Sequence, residues 1–222
     1  MNYKNLTILG TSHIARQSLE QVKSAIEAYK PDILALELDK RRLIALFSKR
    51  PRKPYYGDIR AIGLQGFIFN LIGAFVEKRL GKMVGVKPGS EMKLAYQIAQ
   101  QKKLRVALID QRIEVTLRNF SEKFTWQEKF RFLFDILKGF FVRRPLVRID
   151  LTKVPEEKLI KQMIKQVKKR YPNFYKVLVE DRNKVMANNL AALMKMFPDK
   201  RILAIVGAGH EKELINLVKQ KI

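Results

Sequence analysis

The 222-residue sequence has no cysteine. Disulfides, thiolate zinc sites and a cysteine nucleophile are thereby excluded. Histidine is nearly absent, with 2 residues, and tryptophan occurs once. Acids are scarce too: 21 Asp and Glu stand against 45 Lys and Arg, a formal net charge of +24. No run of about 20 clean apolar residues occurs, so no segment reads as a membrane-spanning helix. The two most apolar stretches are 59–76 and 130–142. The first is interrupted by Arg60, Gln65 and Asn70, the second by Arg131, Asp135 and Lys138. Both read as helices with one apolar face. The chain begins close to a strand, with no basic-then-apolar leader, so a cleaved signal peptide is not expected. The expected location is the cytoplasm.

The positive charge suits contact with anionic matter. The basic residues are scattered, often at helical spacing, and read first as a solvated face. Denser spots occur at 49–53, at Arg143 and Arg144, and at 165–170. None interleaves with aromatics as in RNA recognition, and no zinc-finger or basic-zipper pattern appears, so a specific nucleic-acid partner is not expected. A peptide ligand, peripheral contact with an anionic membrane surface and a homo-oligomer remain open.

Four short aliphatic runs read as strands: 6–9, 33–38, 105–109 and 202–206. They lack clean alternation, as strands covered on both faces do. Helical patterns separate them, at 18–29 after the first and from Gly89 and Ser90 to Lys102 before the third. This β-α-β order predicts an α/β fold with a mostly parallel or mixed central sheet covered by helices. Insertions at about 40–87 and 112–200 read as helical and as a cap on one domain spanning 1–222. Within the second, 120–142 is aromatic-rich, 155–170 amphipathic and basic, and 173–196 a long helix candidate.

Both histidines end the same four-residue pattern. Gly10-Thr11-Ser12-His13 follows the first aliphatic run, and Gly207-Ala208-Gly209-His210 follows the last. Glycine is 11 of 222 residues, so chance places it three positions before both histidines roughly once in four hundred sequences. In open α/β sheets the C-terminal strand ends line the ligand crevice. Should the first and last strands be neighbours, the two imidazoles can meet there. Glu37 lies in an aliphatic run, where a charge is costly unless paired. It calls for a function or a buried partner among Arg41, Arg42 and Arg182. Asp110 follows the third run and either joins this site or caps the next segment. Two imidazoles and a carboxylate suit a divalent cation with open positions for water or substrate; a histidine after a strand also serves as a hydrogen-bonded structural residue. A second polar cluster, Glu180-Asp181-Arg182-Asn183 with Met186, lies at helical spacing, with Arg182 and Met186 on one face. The Gly207 turn lacks the Lys-Ser/Thr of a P-loop, and Ser12 sits in no Gly-x-Ser-x-Gly elbow.

These residues together resemble the TraB/PrgY pheromone-shutdown family, related to the GumN proteins and the Tiki metalloproteases. The resemblance runs from Gly10 and His13 through Glu37, Leu38 and Arg42. It continues through Pro88-Gly89-Ser90-Glu91-Met92 with Ala95, and through Asp110 with Arg112, Thr116, Leu117 and Arg118. It closes on Asp181-Arg182-Asn183 with Met186, and on Val206 to His210. It implies an α/β domain with a metal centre formed by His13, His210 and Glu37, supported by Arg182 and Asn183. In Tiki proteins such an arrangement supports manganese- or cobalt-dependent peptide cleavage; in the pheromone-shutdown branch the implied role is lowering a peptide signal. The family often has Glu where this chain has Asp181, with Glu180 one step earlier. Many TraB-like chains carry C-terminal membrane spans, which this sequence does not show. The expected activity is therefore that of a metal-dependent, peptidase-like hydrolase. The alternative is a non-catalytic protein that sequesters a peptide or signals at a membrane surface.

Overall fold

The computed structural model of the chain describes residues 1–11, 16–48, 89–141 and 157–222. A five-stranded sheet organises them, in the order β1-β2-β5-β3-β4. Its strands are β1 (Asn2–Tyr3), β2 (Leu6–Thr11), β3 (Ile33–Leu36), β4 (Arg105–Leu108) and β5 (Ile202–Gly207). β1 runs antiparallel to β2; every other pairing is parallel. The expected α/β class with a mixed central sheet is what the chain adopts. The first and last aliphatic runs are indeed neighbours, with Gly10 opposite Val206 and Thr11 opposite Gly207.

All six residues of β5 are buried, because helices cover both faces of the strand. Side chains alternate between two cores, as a pleated strand requires. Ile33, Ala35, Ile202, Ala204 and Val206 face one core, and Leu34, Leu36, Leu203 and Ile205 the other. The second core is closed by α1 (Arg16–Tyr29), through Val22 and Ile26, and by the helix Ser90–Gln101, through Met92, Ala95 and Ala99. The first is closed by the helices Asp181–Met196 and Glu211–Lys219, through Met186, Leu190, Leu214 and Val218. Each fully buried Leu or Ile contributes about 1.5–3 kcal/mol, so the two aliphatic cores fix the strand order. In chain order the helices after α1 are α2 (Lys40–Phe47), α3 (Ser90–Gln101), α4 (Ile113–Lys123), α5 (Trp126–Phe141), α6 (Glu157–Arg170), α7 (Pro172–Tyr175), α8 (Asp181–Met196) and α9 (Glu211–Lys219). The described residues of the second insertion form α4 to α8 with short connections between them. The apolar stretch 59–76 and most of the first insertion lie outside the described residues.

Two details depart from the periodicity. The aromatic-rich stretch 120–142 is two helices rather than one. Phe124 ends α4 in extended backbone. The Thr125 hydroxyl then accepts the Glu128 amide at 3.4 Å, as an N-cap residue does at a helix start, and donates to the Glu128 carboxylate at 3.4 Å. The long candidate at 173–196 is α7 and α8 joined by a π-helical turn, Lys176–Glu180. The wider turn rotates everything after it relative to a regular helix. Buried residues then recur at Asn183, Met186, Ala187, Leu190, Ala191 and Met194.

Candidate functional site

The C-terminal ends of β3, β4 and β5 deliver Glu37, Asp110 and His210 to one edge of the sheet. Glu37 follows Ile33 and Ala35 in the alternation, so it emerges toward α8. It is 5% exposed. Its Oε2 accepts the Gly207 amide at 2.6 Å, and its Oε1 accepts Arg182 Nη2. Arg182 is therefore the buried partner that Glu37 demands. The same guanidinium donates to Asp110 through Nε at 3.1 Å and Nη2 at 2.5 Å, and through Nη1 to the Leu178 carbonyl at 3.1 Å. Burial would lower the Arg182 pKa, but the charges and hydrogen bonds of Glu37 and Asp110 hold it above its ordinary value. It stays a cation at every working pH.

His210, 8% exposed, stands at the start of α9. Its Nδ1 meets Asn183 Oδ1 at 2.7 Å, and its Nε2 lies 3.4 Å from Glu37 Oε1 and 3.5 Å from Arg182 Nη1. A carbonyl oxygen only accepts, so this bond calls for a proton on Nδ1 and turns Nε2 toward Glu37. Asn183 itself is fully buried on the core stripe of α8, and its Nδ2 has no partner.

A second tier steadies the first. Arg42 spans two carboxylates, donating to Asp39 Oδ2 at 2.8 Å and to Asp110 Oδ2 at 2.5 Å. Asp39 also accepts the Arg41 and Arg42 amides at the start of α2, and the Ile113 amide at the start of α4. Burial works against its charge, yet the Arg42 guanidinium and the Arg42 and Arg41 amides outweigh it and hold the carboxyl below the usual 3.8. The two Gly-x-x-His loops are tied together as well, the Ala208 amide donating to the Thr11 carbonyl at 2.8 Å. A Cβ at Gly10 would come within 3.1 Å of the Ala208 backbone and 2.5 Å of Glu211 Oε2. That close crossing is why glycine opens the first motif.

The sequence profile of the TraB/PrgY/gumN family matches residues 2–221. The chain belongs to this family. An uncharacterised protein of Methanocaldococcus jannaschii is 32% identical over an alignment covering 99% of this chain and 55% of that protein. The TraB domain-containing proteins of Mus musculus and Homo sapiens are each 19% identical, over 91% of this chain and 60% of theirs. The chain thus spans little more than half the length of these curated relatives.

In this TraB-family chain, Glu37, Arg182, Asn183 and His210 meet, and Asp110 joins them while also accepting the Gln111 amide at 2.6 Å. Of the two readings of Asp110, joining the site is the one the chain adopts; α4 starts without a bond from Asp110, and its first amide goes to Asp39 instead. His13 lies outside the described residues. Glu180 and Asp181 turn away, to Lys168 and Lys123. Sequence reasoning missed Asp39, and named Arg42 in the family resemblance and as a candidate partner for Glu37, not as the clamp on Asp39 and Asp110. An acid directly before the apolar helix of residues 40–47 is an N-cap signal that marks Asp39; Arg42 has no such signal.

The donors fit the implied cation in kind. Imidazole nitrogen and carboxylate oxygen suit manganese or cobalt. The 3.4 Å between His210 Nε2 and Glu37 Oε1 matches two bonds of about 2 Å to one ion. Asn183 on Nδ1 is the outer partner that a ligating histidine usually has. Among the described residues, no three histidine or carboxylate groups gather around one point; His13 would have to supply the third.

Proposed function

We propose that this chain is a metal-dependent hydrolase with peptidase-like chemistry, centred on Glu37, His210, Arg182 and Asn183. The observation that carries the reading is the pairing of His210 Nε2 with Glu37 Oε1, with the proton pinned on the far nitrogen by Asn183. His13, His210 and Glu37 would hold manganese or cobalt. When bound, the ion would supply a water acidic enough to ionise near neutral pH and polarise a carbonyl.

The chain's own residues do the rest. Asn183 keeps the Nε2 lone pair available. Glu37 would offer Oε1 to the cation, while its Oε2 stays anchored by the Gly207 amide. A carboxylate oxygen has two lone pairs, so Arg182 can remain on Oε1 while the cation takes the other. Arg182 presents a permanent cation to an oxyanion, the kind of preorganised donor worth several kcal/mol in a dry site. Asp110 and Arg42 hold its fork in orientation.

The test is elemental analysis of the purified chain after manganese or cobalt loading, with His13→Ala and His210→Ala beside it, and hydrolysis of a fluorogenic peptide library. We expect bound metal in the parent, and at least about a tenfold weaker affinity in each variant, from the loss of a ligand. Equal metal content in all three removes the metal centre.

One observation favours a second reading. Arg182 is already ion-paired with both Glu37 and Asp110, as it would be in a peptide-binding protein without turnover. That reading predicts no hydrolysis with any divalent ion, and peptide binding that survives Glu37→Gln.

A further inference from the structure

Helix α5 is sorted into two unlike halves. One half is seated against the rest of the chain. Glu128, 3% exposed, accepts the Asn173 amide at 2.8 Å. Phe132 packs on Phe124, Phe174 and Tyr171. Asp135 receives Arg170 and the Tyr171 hydroxyl. These residues recur at the three-and-four spacing of one helix face. The other half carries Trp126, Phe130 and Phe134, four apart and 68%, 66% and 63% exposed. Three large aromatics in a row on solvent are not the scattered apolar exposure of an ordinary surface; a contiguous ridge of this kind marks an interaction site.

The charges around the ridge say what it meets. At 100° per residue, Lys129 and Arg131 flank it on its two sides, while both acids, Glu128 and Asp135, lie on the seated face. The Lys129 ammonium sits 4.3 Å over the Trp126 ring. The outward half of the helix is therefore aromatic at its centre, cationic at its margins and free of acid as far as Asp135. That is the pattern of a helix lying in the plane of a bilayer, aromatics at headgroup depth and cations on anionic lipid. A second copy fits poorly. Two such ridges would bring Lys129 and Arg131 against their own kind, on chains of net charge +24 each. Among the described residues no helix is long and apolar enough to cross a membrane.

We propose that the Trp126–Phe130–Phe134 ridge of α5, rimmed by Lys129 and Arg131, docks this protein on the surface of an anionic lipid bilayer. The inference is independent of the hydrolase reading, since none of these residues touches Glu37, Asp110, Arg182 or His210.

Trp126 is the sole tryptophan, so its fluorescence reports the ridge directly. The full chain is titrated with vesicles of phosphatidylcholine containing phosphatidylglycerol, with vesicles of phosphatidylcholine alone, and with a single-stranded oligonucleotide. The free protein should show water-like emission open to iodide quenching. Anionic vesicles should blue-shift it, protect it from iodide and permit quenching by brominated lipid. Neutral vesicles should act far more weakly, and added salt should reverse the shift. Phe130→Ser and Phe134→Ser, at exposed positions, should keep the circular dichroism spectrum and unfolding midpoint yet each weaken partitioning by about tenfold or more. Blue, iodide-protected emission in the free protein would show the ridge covered by this chain or a second copy and overturn the proposal. So would undiminished vesicle binding by the serine variants, no response to anionic vesicles, or a response to the oligonucleotide alone.

Discussion

At the scale of the residue, Arg182 decides the site. Glu37 and Asp110 are both buried, and an uncompensated carboxylate there is far more costly than the pair is worth. Replacing Arg182 with Ala removes the guanidinium from both carboxylates at once. We expect Arg182→Ala to lower unfolding free energy by about 3–5 kcal/mol, read from urea midpoints by circular dichroism. Arg182→Lys should fall between parent and Ala, because an ammonium keeps the charge but not the planar fork that reaches Glu37, Asp110 and the Leu178 carbonyl together. Adding Glu37→Gln to Arg182→Ala should restore part of the loss, since one stranded charge is then gone. An Ala variant as stable as the parent would mean the carboxylates find other cations or water. This partnership was readable beforehand. A charged group within Ile33-Leu34-Ala35-Leu36-Glu37-Leu38 requires a partner by desolvation alone. Which arginine it would be was not readable, because the choice depends on how α8 is rotated over the sheet.

At the scale of the element, Asp39 joins two helices that are far apart in sequence. It accepts amides from the first turn of α2 and from the first residue of α4, and it holds Arg42. Losing a helix cap costs about 1 kcal/mol. Asp39→Ala strips two caps and leaves Arg42 with Asp110 and the Gln111 carbonyl, so a loss of about 2–4 kcal/mol follows. Asp39→Asn keeps an acceptor oxygen and should recover roughly half of it. Hydrogen exchange adds a readout specific to the elements: protection should fall at the starts of α2 and α4 before it falls in β5. Loss confined to α2 would contradict the joint role. The elements themselves were legible to different degrees. Aliphatic runs predicted β2 to β5 to within two residues at each end, since burial on both faces leaves an unmistakable composition. The two-residue β1 was not legible, because so short a strand has no period. Nor was the π turn at Lys176–Glu180, where the apolar spacing continues through the wider turn. That turn is what sets Arg182 and Asn183 toward Glu37 and His210, so the site's parts were named in the sequence while their assembly was not.

At the scale of the molecule, the charge excess acts on stability. A formal +24 spread over a solvent-accessible surface of 14466 Å² places excess charges roughly 25 Å apart, between the Debye lengths of about 30 Å at 0.01 M and about 10 Å at 0.1 M salt. Self-repulsion is therefore felt across the whole surface at low ionic strength and screened at moderate ionic strength. Surface ion pairs respond in the opposite sense. Lys123–Asp181, Lys168–Glu180 and Arg170–Asp135 weaken with salt, but exposed pairs contribute only about 0–1 kcal/mol each. The buried Arg182 cluster is screened least, so its contribution barely changes. Repulsion wins, and the melting temperature should rise by several degrees as sodium chloride goes from about 0.01 to 0.1 M, then flatten. Sodium fluoride should give the same curve, since screening depends on ionic strength and not on the identity of the anion. A melting temperature that falls with salt would show the exposed pairs to outweigh the net charge.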